Sequence, residues 1–388
     1  MKTALLITAA LLTAATANAS KSRLAALGGS HHLNDVQDVF TEPSKAMMFN
    51  ETVFFEYGSA DTWNATTGAN AYTTTTAATP HGEGGIIRKM DDSAWGIYLG
   101  RQNANFNTMI GAADEAVNAG TNEFMREENP FNIFYAMGMG DMKVGFGLNY
   151  SKGEKKGTGT ATATHGPKKS NSMGVSASAS TDVWTAKLSL GLAGDSSIQA
   201  TGGEIKAQME SSYGVEATYA MDTMTFLFGM NNTGVKLTNA GTENLKVGYN
   251  DMTLAVVNSI NKDGANVFYG AKYMMSTTKS TASGTETKTE TTVLPLWVGV
   301  EAEGASWLVI RGSVAQNFFM GSKKTTTGGT GEANSIDDNT SVAGGLGFKW
   351  GKFMLDGTLN AATNGNLNLG GGTNGDKFLT TAALTYNW

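Results

Sequence analysis

Trp184-Thr185-Ala186-Lys187-Leu188-Ser189-Leu190-Gly191-Leu192 alternates, residue by residue, between apolar and small or polar side chains. A period of two marks a strand with two unlike faces, because successive side chains of an extended chain point to opposite sides. The pattern recurs where Val144, Phe146, Leu148 and Tyr150 interleave with Lys143, Gly145, Gly147, Asn149 and Ser151. It recurs again where Phe353, Leu355, Gly357 and Leu359 interleave with Lys352, Asp356, Thr358 and Asn360. Two architectures satisfy it: a sandwich with one wet face, or a barrel with a greasy exterior.

Connection lengths separate the two. Short connections fall at Asp91 to Ser93, Gly140-Asp141, Thr181-Asp182, Met221-Asp222, Lys262 to Gly264, Glu303 to Ala305 and Gly351. Long polar segments alternate with them, near 59–83, 102–130, 154–169, 194–206, 237–246, 279–289, 319–339 and 362–376. Short turns at one end and long loops at the other describe an up-and-down transmembrane barrel. The reading is therefore all-β, an antiparallel barrel of sixteen strands running from 49–58 to 377–388, with both termini on the short-turn side. The segment 84–90 is the weakest strand and Asn250-Asp251 can interrupt another, so fourteen strands is the alternative.

Tryptophan placement tests this independently, since barrels carry aromatic girdles at the membrane interfaces. Trp95, Trp184, Trp307, Trp350 and Trp388 lie within a few residues of a short turn or of the C-terminus, whereas Trp63 and Trp297 do not. Trp95, Trp184, Trp350, Tyr386 and Trp388 are taken as interface aromatics. Trp307 shares the parity of Arg311, which by strict alternation turns it inward.

The ends of the chain bear on its destination. Lys2, an apolar run from Ala4 to Ala15, and Ala17-Asn18-Ala19 before Ser20 form a secretory leader with its cleavage site, residues 1–19. The apolar run is well short of the roughly 20 residues that a spanning helix needs. With 49 Gly, only 5 Pro and 16% charged residues, the composition suits strands and tight turns rather than a soluble α/β enzyme. The absence of Cys excludes disulfides, thiolate metal sites and a cysteine lipid anchor. The formal charge of −6, or −7 once Lys2 leaves, argues against nucleic-acid binding.

The last strand, Ala382, Leu384, Tyr386 and Trp388 against Thr381, Ala383, Thr385 and Asn387, resembles the C-terminal signature of outer-membrane barrels. That resemblance implies recognition by the barrel-assembly machinery. Residues 20–48 do not alternate. There Ser22-Arg23-Leu24-Ala25-Ala26-Leu27-Gly28-Gly29-Ser30, Leu33-Asn34-Asp35 and Val39-Phe40-Thr41-Glu42-Pro43-Ser44 resemble the N-terminal hatch of the long-chain fatty-acid transporter (FadL-like) family. Glu42-Pro43-Ser44 stands where that family has Asn-Pro-Ala. The resemblance implies a plug-like segment, with Arg23, Gly28, Gly29, Asp35 and Pro43 as its marker residues, placed in the lumen or periplasm ahead of the barrel at 49–388.

Catalytic chemistry is thin. His31 and His32 are adjacent and point to opposite sides of an extended chain; His81 and His165 fall in loops. No strand carries the His, nucleophile and orienting group of a hydrolase, so no enzyme, cofactor or metal site is expected. Asp337-Asp338-Asn339 and Asp91-Asp92 offer oxygen atoms for calcium, but turn formation explains both equally.

Selectivity in a channel resides on inward positions. Parity assigns ten charged residues there: Glu56, Lys143, Lys187, Glu216, Lys272, Glu301, Glu303, Arg311, Lys349 and Asp356, five of each sign. Lys143, Glu303 and Lys349 adjoin turns. Balanced charge predicts weak ion selectivity on a small, polar inner face. The long segment 102–130 has helical composition from Ala112 to Glu128, with Glu115, Glu123, Glu127 and Glu128 around Arg126; folded inward it would constrict the lumen and favour cations.

Together these features predict an integral outer-membrane porin for passive diffusion of small polar solutes and ions, in a Gram-negative bacterium. The alternatives are a FadL-like channel for hydrophobic molecules and a structural or adhesive barrel with a closed lumen. The expected partners are outer-membrane lipid and lipopolysaccharide, the assembly machinery and small solutes, with either a homotrimer or a monomer open.

Overall fold

The structure, a computed structural model, describes residues 20–29, 32–49, 51–58, 81–116, 124–157, 166–200, 203–282, 284–318, 322–328, 330–335, 340–363 and 379–387. The expected leader at 1–19, His31, Trp63, Glu123, His165, Asp337-Asp338-Asn339 and Trp388 lie outside the described residues.

Strands appear in the order β1 (Thr52–Gly58), β2 (His81–Met90), β3 (Ser93–Leu99), β4 (Phe131–Met139), β5 (Met142–Lys155), β6 (Lys168–Ser180) and β7 (Trp184–Ala200). Then come β8 (Gly203–Met221), β9 (Met224–Asn239), β10 (Thr242–Lys262), β11 (Ala265–Ala282), β12 (Thr285–Val293) and β13 (Pro295–Ala305). The last are β14 (Leu308–Asn317), β15 (Ser322–Thr327), β16 (Thr330–Ser335), β17 (Thr340–Trp350), β18 (Phe353–Thr363) and β19 (Leu379–Asn387). Every neighbouring pair is antiparallel, and β1 closes the sheet by pairing with both β2 and β19, from Thr52↔Asn387 to Gly58↔Thr381.

Three barrel positions are each built from two of these strands. β12 and β13 both pair with β11, β15 continues β14 beside β12, and β16 continues β17 beside β15. Nineteen strands thus form a closed sixteen-stranded barrel. The segment 84–90 is a full strand, and Asn250-Asp251 stays in register with Asn232 and Thr277, so neither weakness reduces the count.

Short turns close where Asp and Gly supply backbone that ordinary residues avoid: Asp222 and Asp263 have φ of 53° and 51°. At the other end several expected loops prove to be strand. β7 continues from 194 to Ala200 and β8 begins at Gly203, and β9 with β10 continues through 237–246, so these hairpins overshoot the body of the barrel.

The outer face carries the apolar set. Phe55, Tyr57, Leu188, Leu190, Phe226, Phe228, Val298 and Leu355 are all exposed there. Trp350, at the turn into β18, is 82% exposed. Trp307 corrects strict parity. It precedes β14 at a register shift between Glu303 and Ala305 and stacks on outward-facing Phe348, with ring centroids 6.1 Å apart.

The inner face is not uniformly small and polar. Phe54, Ile87, Tyr98, Phe134 and Phe268 are buried inside the barrel. Alternation misses them where both faces are apolar, as at Phe54-Phe55.

Candidate functional site

The described residues of 20–29 and 32–49 lie against the inner wall of the barrel, and their local structure follows from their sequence. Ser20 caps helix α1 (Lys21–Ala26), its hydroxyl accepting from the Arg23 amide at 3.1 Å. Gly28 and Gly29 end it with φ of 63° and 74°, and the Gly29 amide returns to the Leu24 carbonyl at 2.9 Å. A 3₁₀ turn over Val36–Phe40 is capped by Asp35, whose side chain accepts from the Gln37 amide while Asp38 accepts from the Asp35 amide. A second turn begins at Pro43, whose fixed φ suits a first helical position.

Three contacts seat this segment. α1 lies on β14, β17, β18 and β19, where Ser313 and Thr358 donate to the carbonyls of Ala26 and Ser22 at 3.0 and 2.8 Å. The Pro43-Ser44 turn presses on β5 and β6. There the Ser44 amide donates to Ser178 Oγ at 2.8 Å, and a side-chain carbon on Gly145 would lie 2.2 Å from the Ser44 nitrogen. The apolar patches take the remainder: Val36, Val39, Phe40 and Ala46 cover Phe54, Ile87, Tyr98 and Phe134, and Leu27 and Leu33 pack on Val257 and Phe268. His32 meets the Phe268 ring edge-on at 4.7 Å.

Charged groups lock the α1 side. Arg23 donates from Nε and Nη2 to Glu301 Oε2 and Oε1 at 2.6 and 2.8 Å, and from Nη1 to the Asn34 carbonyl at 3.1 Å. Arg311 bridges Glu301 at 2.6 Å and Asp356 at 2.5 Å, and Ser20 donates to Asp356 at 3.2 Å. Asp35 stands 3.6 Å from Arg23. Two guanidiniums face three carboxylates. Burial, partly offset by Arg23, pushes Asp35 up to about 8.

Nearby, Gln37 and the Lys21 amide donate to Glu56, Lys21 pairs with Glu83, and Arg101 lies 4.0 Å over the Phe40 ring. Lys45 engages Asp38 at 2.7 Å and Glu42 at 3.4 Å. Burial alone would lower the Lys45 pKa, but these two carboxylates outweigh it and hold the amine above its ordinary value.

The inserted segment after β3 forms helix α2 (Ala104–Ala116), earlier than the 112–128 read from composition. Asn103 sets its start, accepting from the amides of Asn105 and Phe106 at 2.9 and 3.2 Å. Its stripe of Phe106, Met109, Ile110 and Ala113, with Phe124, packs on Ile198, Ile205, Ala207, Val235 and Leu237 of the overshooting hairpins. A bulge in β8 between Met209 and Ser211 turns Ile205 and Ala207 inward above the polar Ser212, Gly214 and Glu216. Glu127 is buried, accepting from the Asn103 amide at 2.5 Å and from Ser172. Burial holds it above the usual carboxylate range. Arg126 lies 3.9 Å from Asp114, and Glu128 pairs with Lys155 at 2.5 Å. The Glu115 side chain lies outside the described set.

The ten charged residues assigned by parity all project inward but experience different surroundings. Glu56, Glu301, Arg311 and Asp356 lie under the N-terminal segment, and Lys143 and the Lys349–Glu303 pair sit at the short-turn rim. Lys187 and Glu216 pair at 2.9 Å on the wall of β7 and β8, and their side chains keep 16% and 25% exposure. Those of Arg311 and Asp356 keep 1% and 0%. The pairings with Arg23 and Ser20 escape sequence reading because their partners lie 278 and 336 positions away.

No protein-family model and no curated protein matches the sequence. Solved structures similar to this chain include a FadL homologue from Pseudomonas aeruginosa, at 12% identity and TM-score 0.43, covering 95% of this chain and 98% of that one. The CymD monoaromatic hydrocarbon channel is similar at 12% identity and TM-score 0.42, over 95% and 98%. A porin follows at 11% and 0.37, over 87% and 99%. With TM-scores below 0.5, these likenesses carry no functional weight.

Proposed function

We propose that this chain is an integral outer-membrane channel for passive diffusion of small polar solutes and ions, narrowed by its own N-terminal segment. A sixteen-stranded barrel is wide enough to hold an aqueous lumen. The observation that carries the reading is the Lys187–Glu216 pair, which keeps partial exposure on an inner wall of Ser189, Gly191, Gly214 and Thr218, where Lys187 also donates to Thr41 of the N-terminal segment at 3.4 Å. The exposed apolar exterior supports a lipid-facing role, and the overshooting hairpins support an external position for that end.

A second reading, passage of hydrophobic molecules, draws on Phe268 and Trp297, which line the lumen where Leu27 and Leu33 pack. Planar-bilayer recording separates the two. Steady ion current from the purified chain is the expected result; a folded barrel without current that still transports a fluorescent fatty acid would replace the first reading with the second.

A further inference from the structure

We propose that the outward face of β11, β12 and β15 binds one phosphate-bearing lipid of the outer leaflet, with its headgroup on Lys279, Lys288 and Lys324 and an acyl chain in an apolar groove below them. The proposal rests on the outer-membrane placement given above and not on the passage of any solute.

Register fixes the direction of these side chains. Tyr269 and Met275 are exposed on the outside, Phe268 and Met274 are buried within, and the ladders of β11 with β10 and with β12 run without a bulge up to Ala282. Lys279 therefore shares the lipid-side face of Met275. Along that face the cross-strand pairs are Met275↔Thr292, Thr277↔Glu290, Lys279↔Lys288 and Thr281↔Glu286, and Glu290 faces Lys324 across the next ladder. Apolar side chains give way to hydroxyls and then to charge, as they do where a barrel leaves the hydrocarbon.

Two lysines placed directly opposite one another repel across a ladder. Glu290 relieves this only in part, because it is bonded to Lys288 at 2.6 Å, and Lys279 and Lys324 make no hydrogen bond or ion pair among the described residues. On its other flank Lys279 faces Gly248, and Lys246, one outward rung further along β10, is engaged by Glu210 at 2.7 Å. With Glu286 counted, three ammonium groups on the described part of this face meet two carboxylates. A phosphate between Lys279 and Lys288 replaces their repulsion with two attractions, and basic clusters at a membrane surface bind phosphorylated headgroups in this way.

Below the lysines the same face is hollow. Ala217 and Ala271 leave a groove of about 560 Å³ among Tyr219, Phe228, Leu254 and Tyr273, and its lining is almost wholly apolar. Tyr273 to Lys279 is about 20 Å along β11, which at a strand tilt of about 45° is about 14 Å of depth. One leaflet of the hydrocarbon core is about 15 Å thick, so a headgroup at Lys279 brings its acyl chain down to the groove. A two-fold partner docked here would set the lysine patch against itself, whereas a phosphate-bearing lipid satisfies both halves of the face.

The test is native mass spectrometry of the full-length protein, released from detergent after incubation with diphosphoryl lipid A or with phosphatidylcholine, with heat-modifiability as the folding control. The expected result is a one-to-one complex with lipid A and none with phosphatidylcholine. Lys279→Gln and Lys324→Gln should each weaken that complex about fivefold, and Lys279→Arg should retain it. Ala271→Trp, which fills the groove, should weaken it without touching a charge. Undiminished lipid A binding in the double glutamine variant or in Ala271→Trp, equal retention of the two lipids, or retention of neither overturns the site while leaving the channel intact. A folded protein that enters vesicles of neither lipid overturns the outer-membrane placement with it.

Discussion

Arg23 of the N-terminal segment grips Glu301 of β13 through two parallel hydrogen bonds, at 2.6 and 2.8 Å, across 278 positions of sequence. The fork geometry suits a guanidinium and no other side chain. Arg23→Ala removes the segment's half of the network and leaves Glu301 to Arg311 alone. Breaking a buried pair costs about 3–5 kcal/mol. The expected outcome is that proteinase K cleaves residues 20–49 in the variant but not in the wild type, with the heat-modifiable barrel unchanged on gels. Equal protection in both would remove the network from the account of seating.

Asp35 makes that seating depend on pH. Its carboxyl is raised by burial to about 8 in the folded chain, so the proton stabilises the seated state. Because the folded value lies above the unfolded one, this contribution is complete below the ordinary Asp pKa and disappears as pH rises through about 8. Protease protection of the segment should therefore weaken progressively between about pH 4 and about pH 8 and level off above that. Asp35→Asn, which mimics the protonated group, should flatten that dependence. An unchanged profile in the variant assigns the titration elsewhere.

Ser44 and Ser178 offer a geometric test. Their hydroxyl oxygens are 2.9 Å apart, and the chain has no native cysteine to confuse the result. Ser44→Cys with Ser178→Cys should oxidise to a disulfide in intact membranes, seen as a reducible gel shift. Adding Gly145→Val, whose side chain collides with the Ser44 backbone, should suppress the cross-link. A folded double-cysteine barrel that never cross-links would contradict the seat of the Pro43 turn.

Adjacent residues on opposite faces test the lipid boundary. Leu188 is outward and 41% exposed, while Ser189 faces the lumen. An arginine on the lipid face costs about 2–4 kcal/mol near the bilayer midplane. Leu188→Arg should lower urea stability in lipid vesicles by about that amount, with Ser189→Arg close to wild type. Comparable losses for both substitutions would argue against a lipid-facing exterior.

The barrel was legible because its signals are local. Alternation at Trp184 to Leu192 and turn residues such as Asp222 and Asp263 act within a few positions, and the strand count emerges from their rhythm. Lumen contents are not local. Phe54 and Phe55 are apolar on both faces, which hides the inner patch that receives Val36 and Val39. The bulge at Met209 reverses which residues of β8 face inward, and no residue near it announces the shift. α2 begins at Asn103 because of a cap and an apolar stripe whose partners, Ile198 and Val235, lie far along the chain. Parity supplied the direction of Arg311 and Asp356, but not the partners that bury them.

The most direct test of an N-terminally narrowed channel is single-channel conductance of the full-length chain against one lacking residues 20–49, with heat-modifiability as the folding control. Seating inside the lumen predicts a clear rise in conductance when the segment is gone. Two folded barrels with the same conductance and the same current noise would contradict it.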